Sequence, residues 1–287
     1  GVRVADWRSV EEGRLTMPDE VALTFGVFDG IHPGHRALFD LLDENRGMAA
    51  PAVFTFRRNP QTVLRAHTYA GDVLSIRQKL ERLEAYGIQL VVLADFDDAF
   101  RAMPGEDFLG HLMGALNIGY AAVGPDFHCG RNMDTDARGV SRYLSANEVR
   151  VDIAGAVYHN GSPVSSTRIR QAVANGDFET ARALLGGSFV LDLRDVTIET
   201  SHHEVWVPRS LVGQVIPSSG AFHSTVFTTD GPFEAVVHID PEGLRLTGSD
   251  GSRITVPAAG ILQIEFTTRT GIGIEGERDV AYQRGKG

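Results

Sequence analysis

Between Val21 and Gly186 the chain alternates short apolar runs with longer stretches whose apolar residues recur at helical spacing, and few folds accept that alternation. VALTFGVF (21–28), PAVFTF (51–56), QLVVLADF (89–96) and YAAVG (120–124) read as buried strands. Short runs rich in β-branched residues and Phe suit strands covered on both faces. ALFDLLDENRG, SIRQKLERLEAYG and GEDFLGHLMGALNIG read as the helices between them, with Gly as a C-cap signal. Repeated strand–helix units require right-handed crossovers and give an α/β, Rossmann-like, doubly wound parallel sheet. Ligands of such sheets lie beyond the carboxyl ends of the strands.

After Leu185 the texture changes. SFVLDLRDVTI, EVWVP, FHSTVFTT, FEAVVHI, LRLTG, SRITVP and ILQIEF follow one another, punctuated by TTDGPF, DPEG and GSDGS. That pattern predicts a smaller antiparallel β-domain, a barrel or a sandwich. The expected division is residues 1–187, then a β-rich part over 188–275, then an aperiodic tail at 276–287 expected to be disordered.

The segment FGVFDGIHPGHRALFDLL (25–42) carries the strongest chemical signal. A strand is expected to end at Gly26, with Phe28, Asp29 and Gly30 in a tight loop and a helix starting near Pro33. Proline suits the first helical position, where its missing N–H would have no partner. His32 and His35 are three apart, so both imidazoles reach the same side of the helix start, and Gly34 leaves room for an anion. Free N–H groups and the helix dipole make that end an anion site, and two imidazoles there suit donation to phosphates. Zinc is poorly supported, since no cysteine or carboxylate is spaced nearby to complete a tetrahedral set.

A second segment, PVSSTRIRQAVANGDFETARALLG (163–186), places Ser165, Ser166 and Thr167 ahead of a helical stretch. Ser or Thr caps such a helix. Arg168 and Arg170 lie in its first turn, where acids are the usual choice. Arg168 is the expected catalytic cation, able to bind phosphate bidentately.

HPGH (32–35) preceded by GVFDG (26–30) is similar to the HxGH signature of the nucleotidyltransferase superfamily, and GVFDGIHPGH looks most like its FAD synthetase branch. SSTRIR is similar to a motif of the same superfamily, and the following ANGDFETARALLG resembles the FAD synthetase continuation. The resemblance covers roughly residues 5–187. It implies FMN adenylyl transfer: ATP and FMN give FAD and diphosphate, with Mg²⁺ brought by ATP and no metal bound directly by protein. It implies ATP contacts from Gly26, Phe28, Asp29, Gly30, Gly34, Ser165, Ser166 and Thr167, and catalysis by His32, His35 and Arg168. Asp29 serves the metal indirectly or orders the loop; the residues leave both open.

VFTFRRNPQTVL (53–64) resembles the family stretch near the flavin phosphate, which points to Asn59 and Phe56, although Phe54 and Phe56 also fit a core. VGPDFHCG (123–130) matches the family pattern that shapes the flavin pocket, which points to Asp126 and Phe127. Relatives commonly carry an aromatic residue where this chain has Cys129. That keeps a different phosphorylated acceptor open, as well as a nucleotide or flavin sensor without turnover. Family members usually continue into a riboflavin kinase barrel with a Pro-Thr-Ala-Asn signature. No such string occurs here, so the expectation is a β-domain without kinase activity, a degenerate kinase barrel or an unrelated module.

Composition narrows the rest. A net charge of −10 argues against a nucleic-acid partner. Only Lys79 and Lys286 are lysines, so arginine or histidine is the expected phosphate-binding cation, and no Walker-type loop is present. No run approaches the ~18 apolar residues of a membrane span, and GVRVADWRSVEEG carries no secretory pattern. With one cysteine, these features make a cytoplasmic location the expectation. His202, His203 and His223 are expected to be exposed or satisfied in the core.

Overall fold

A computed structural model describes residues 1–196, 198–201, 204–254 and 260–270. In chain order the first part contains β1 (Arg3–Asp6), α1 (Trp7–Glu11), β2 (Val21–Phe25), α2 (Pro33–Asn45) and β3 (Ala50–Phe56). Then come α3 (Gln61–Leu64), α4 (Ile76–Ala85), β4 (Leu90–Ala94), α5 (Asp98–Ala102), α6 (Gly105–Ala115) and β5 (Ile118–Val123). Next are β6 (His128–Cys129), β7 (Thr135–Asp136), α7 (Ala137–Ala146), β8 (Arg150–Ile153), β9 (Tyr158–His159) and β10 (Ser162–Pro163). Helices α8 (Ser166–Ala174) and α9 (Phe178–Leu185) follow.

The main sheet is parallel throughout, in the order β1-β4-β3-β2-β5-β8. Chain order reverses at β2, so the crevice beyond its carboxyl end is the switch point where such sheets hold ligands. The four strands read from sequence form the sheet's centre, and β2 and β4 are buried at all five positions. The first is shorter than expected: it stops at Phe25, before the turn. The edge strands β1 and β8 escaped the sequence reading. Their sequences RVAD and RVDI are short and charged, and two of the four residues in each are exposed. Helices α1, α6 and α7 pack on one face of this sheet, and α2 and α4 on the other.

The C-terminal strands are β11 (Val190–Asp192), β12 (Glu199–Ser201), β13 (Glu204–Pro208), β14 (Gly220–Thr228), β15 (Gly231–Ile239), β16 (Gly243–Gly248) and β17 (Ile261–Arg269). They pair antiparallel in the order β11-β17-β14-β15-β16-β13-β12, which makes a half-barrel. Within SRITVP, Arg253 bridges Thr247 outside the named strands, and 255–257 lie outside the described residues, as do His202, His203 and the 276–287 tail. His223 is exposed on β14.

The half-barrel does not bury its apolar face by itself. Ile169, Ala172 and Val173 of α8 and Phe178, Ala181 and Leu184 of α9 share one core with Phe222, Val237 and Phe266. Phe178 stacks on Phe266 with centroids 4.8 Å apart and meets Phe222 edge-on at 5.3 Å. Among the described residues no helix is long and apolar enough to cross a membrane.

Candidate active site

Beyond β2 the chain makes a turn that its own residues resist. Phe28 has φ 53° and Ile31 φ 46°, with Gly30 at 97° between them. A β-branched residue at positive φ is an outlier, and each such position costs about 1–3 kcal/mol. Phe28 and Ile31 are both fully buried, so packing anchors them. Hydrogen bonds secure the rest. The Asp29 carboxylate accepts from Val73 N at 2.8 and 3.0 Å, from Leu74 N at 3.1 Å and from Arg170 Nη2 at 3.1 Å. The Asp29 carbonyl accepts from the Ser166 hydroxyl. Arg82 donates to Gly30 O and Arg36 Nε to Ile31 O, each at 3.3 Å. Lys79 Nζ donates to Val27 O at 2.9 Å and to Phe56 O at 3.4 Å, tying the ends of β2 and β3 together.

Of the two roles left open for Asp29, the geometry shows the second: it orders the loop. Burial, and then the nearby Asp72, push its carboxyl above the ordinary range, against the pull of the Val73 N–H, Arg170 and the Leu74 N–H.

His32 occupies the N-cap of α2 in extended conformation, makes no side-chain cap bond, and is followed by Pro33 at the first helical position. The rings of His32 and His35 stack with centroids 3.8 Å apart and planes 18° from parallel. A Cβ on Gly34 would sit 3.1–3.2 Å from the His32 ring, so this glycine makes room for the imidazole. The Nδ1 atoms of both histidines are buried and have no hydrogen-bond partner. Burial first, then the Arg36 charge, lowers the His32 pKa to about 4. Burial, then His32, then Lys79 holds His35 well below its ordinary value. Both rings are therefore neutral at pH 7, which lets them stack without repulsion.

Helix α8 brings its N-terminus to the same turn. Ser165 is the N-cap and accepts from Arg168 N at 3.3 Å, while Thr167 is exposed. The two arginines part company. Arg168 spends its fork on the β9–β10 hairpin, donating to Ser162 O at 2.9 Å, Pro163 O at 2.7 Å and His159 O at 3.4 Å. Arg170 is the one that faces the histidine turn, through Asp29, with its guanidinium 5.1 Å from the centre of the Tyr69 ring. Its Nε is buried and unpartnered. Residues two apart on a helix lie roughly 200° apart, so only one of this pair can face the turn, and nothing in the sequence says which.

On the other side of β2, Phe56 lies in an aromatic cluster with Phe54, Phe96 and Phe100 at 6.1, 5.8 and 5.4 Å. It is only partly buried. Asn59 is buried, and its Oδ1 accepts from Gln61 N at 3.0 Å, so this side chain caps the turn into α3. Phe127 sits edge-on against Phe25 at 4.9 Å, and Asp126 is exposed. Burial, with Asp134 nearby, pushes the Cys129 thiol up to about 12, consistent with an apolar filler and not a nucleophile. A cavity of about 320 Å³ opens beyond β1 and β4, between Trp7, Phe100 and Met103, but neither histidine lines it. Its Asp6 and Asp97 cap α1 and α5.

Sequence reading overlooked Lys79 as a site element. Lys79 is buried on α4 with Gln78 and Leu83, and on a helix that also carries Arg77, Glu81, Arg82 and Glu84 nothing in the sequence set it apart.

A parallel sheet whose first central strand delivers a histidine pair to a helix N-terminus at the switch point defines the nucleotidyltransferase class. Within it, a profile of the FAD synthetase family matches residues 15–168, and the chain belongs to that family of nucleotidyltransferase enzymes. It is 30% identical over 208 residues to the bifunctional riboflavin kinase/FMN adenylyltransferase of Escherichia coli K12, spanning 70% of this chain and 66% of that protein. It is 30% identical over 174 residues to a putative bifunctional riboflavin kinase/FMN adenylyltransferase of Geobacillus thermodenitrificans, spanning 60% and 92%. The FAD synthetase of Listeria monocytogenes is 27% identical over 169 residues, spanning 57% and 68%. A crystal structure described as a macrolide-efflux protein from Streptococcus pneumoniae superposes with a TM-score of 0.78 over 94% of this chain and 91% of that one. At 20% identity, it shares the fold across both sheets.

Proposed function

We propose that this chain transfers the adenylyl group of ATP to FMN, giving FAD and diphosphate. The observation that carries the reading is the stacked His32–His35 pair, its two buried Nδ1 atoms unpartnered, at the N-terminus of α2. A phosphate oxygen of FMN attacks the α-phosphorus of ATP. The bond from that phosphorus to the bridging β-phosphate oxygen breaks, and diphosphate leaves. No covalent intermediate on the protein is required.

In this reading the imidazoles donate to phosphate oxygens whose charge grows as diphosphate departs, and the helix dipole acts in the same direction. Arg170 complements or replaces Arg168 as the cation of α8, because Arg168 is committed to the hairpin. Ser165 and Ser166 fix the start of α8, and Asp29 with Gly30 fixes the turn. Gly26, Phe28 and Gly34 give the backbone its path around the nucleotide, with Thr167 open to solvent beside it. Phe56, Asn59, Asp126 and Phe127 are assigned to FMN because the family resemblance points to them. Mg²⁺ enters as part of the MgATP substrate. The Asp29 oxygens accept from N–H groups of Val73 and Leu74. On the sequence ground given above, the proposal includes no phosphorylation of riboflavin.

The test is to incubate the purified protein with MgATP and either FMN or riboflavin and to separate the flavins. FAD from FMN, and no FMN from riboflavin, is the expected outcome. ATP binding without FAD would redirect the search to another phosphorylated acceptor, which the small Cys129 side chain would accommodate. His32→Ala and His35→Ala should each lower turnover about 10²–10³-fold, the effect of losing one transition-state donor.

A further inference from the structure

The strained turn at Phe28–Ile31 keeps its shape because Asp29 is held, and Asp29 is held by residues 73 and 74. The stretch from Ala70 to Ser75 belongs to no helix or strand of the parallel layer. On its other side it bonds the C-terminal half of the chain. Asp72 N donates to Gly213 O at 3.2 Å, and Val215 N donates to Asp72 O at 2.8 Å, an isolated parallel bridge. The approach is so close that a Cβ on Gly71 would lie 2.8 Å from backbone atoms of Gln214 and Val215, and Gly71 also has φ 116°.

Gln214 stands at the centre of this contact. It is 5% exposed, and its amide is fully engaged. The two Nε2 hydrogens are shared among Val73 O at 2.9 Å, Val190 O at 3.0 Å and Gln78 Oε1 at 3.1 Å, while Oε1 accepts from Asp192 N at 2.7 Å. One side chain thus fastens the residue whose N–H holds Asp29 to the first strand of the half-barrel. The apolar layer beneath is continuous as well: Val73, Ile169 and Leu185 share a core with Phe222 and Phe266, and Gly30 lies against the first three.

We propose that Gln214 is a positioning residue for the ATP-binding turn, through which the C-terminal half-barrel sets the geometry of the His32–His35 site. The functional consequence rests on the adenylyl-transfer reading; the mechanical link does not.

The test uses the full chain. Gln214→Met keeps the volume and removes the amide. Gly71→Ala perturbs the same contact without touching Gln214. Arg77→Ala is the control, because Arg77 pairs with Asp195 across the same seam yet has no bond to Val73 or Asp29. Hydrogen exchange, followed by mass spectrometry without substrate, reads the turn directly. In Gln214→Met and Gly71→Ala the peptide covering residues 26–36 should exchange about 10-fold faster, with α6 and α7 unchanged and Arg77→Ala like the parent. In the assay, KM for ATP should rise about 10-fold, or 1.4 kcal/mol, with KM for FMN unmoved. Faster exchange confined to 70–78 and 190–194, with 26–36 unchanged, would overturn the proposal and leave Gln214 a local structural residue. If the parent makes no FAD, the FMN reading falls, and the exchange result still decides this one.

Discussion

His32 and His35 lie ring on ring in a buried corner, and that placement has a pH signature. An unfolded histidine titrates near 6.5, whereas native His32 does so only at about 4. As pH falls through that window the unfolded chain takes up a proton that native His32 refuses, so the fold loses stability. At about 1.4 kcal/mol per unit, His32 alone accounts for on the order of 3 kcal/mol once fully protonated, and His35 acts in the same direction. Asp29 opposes them, since a raised carboxyl pKa favours the native state as pH falls. The thermal midpoint of the parent should drop between pH 6.5 and 4. A His32→Asn/His35→Asn double variant, which keeps Asp29, should lose most of that drop; an unchanged profile would separate the histidines from it. The histidines themselves were legible in the sequence because HPGH puts them on one turn of helix. Their stacking and their neutrality were not, since both follow from what is packed around them.

At the scale of the element, α8 shows how little a motif says about direction. Ser165 was readable as a cap, and it is one. The choice between Arg168 and Arg170 belongs to the hairpin on one side of the helix and the Asp29 turn on the other. Arg170→Met leaves a buried carboxylate without its cation. Loss of one partner of a buried pair costs about 3–5 kcal/mol, so a urea titration should show a large loss of stability, and calorimetry a loss of ATP affinity. Arg168→Met frees only carbonyls at a part-exposed hairpin and should cost at most about 1 kcal/mol. Equal effects from the two variants would refute the assignment of Arg170 to the turn.

For the molecule as a whole, the two sheets are not independent bodies with a linker between them. Helices α8 and α9 precede the half-barrel in sequence and lie in its core. A chain cut after residue 187 would expose Ile169, Val173, Phe178 and Leu184, four side chains now 4% exposed or less. Each buried side chain of that size contributes roughly 1.5–3 kcal/mol. The truncated chain should bind a hydrophobic dye, melt well below the parent and fail to bind ATP. A truncated protein that melts and binds ATP like the parent would show that the half-barrel is dispensable to the site.

The sequence by itself determined the centre of the parallel sheet, because strands buried on both faces read as unbroken apolar runs, as in VALTF and LVVLA. It also determined the histidine-bearing turn and the capped helix after Ser165, because caps, proline and glycine act through local backbone geometry. Only the tertiary structure decided the edge strands β1 and β8, whose charged, half-covered residues carry no run to recognise. Only it decided that Asp29 braces a loop, that Lys79 ties two strand ends, and that Gln214 reaches Val73 across 141 positions of chain. Those assignments depend on which groups meet after folding, and a buried polar group takes whatever partner the packing brings within hydrogen-bond reach.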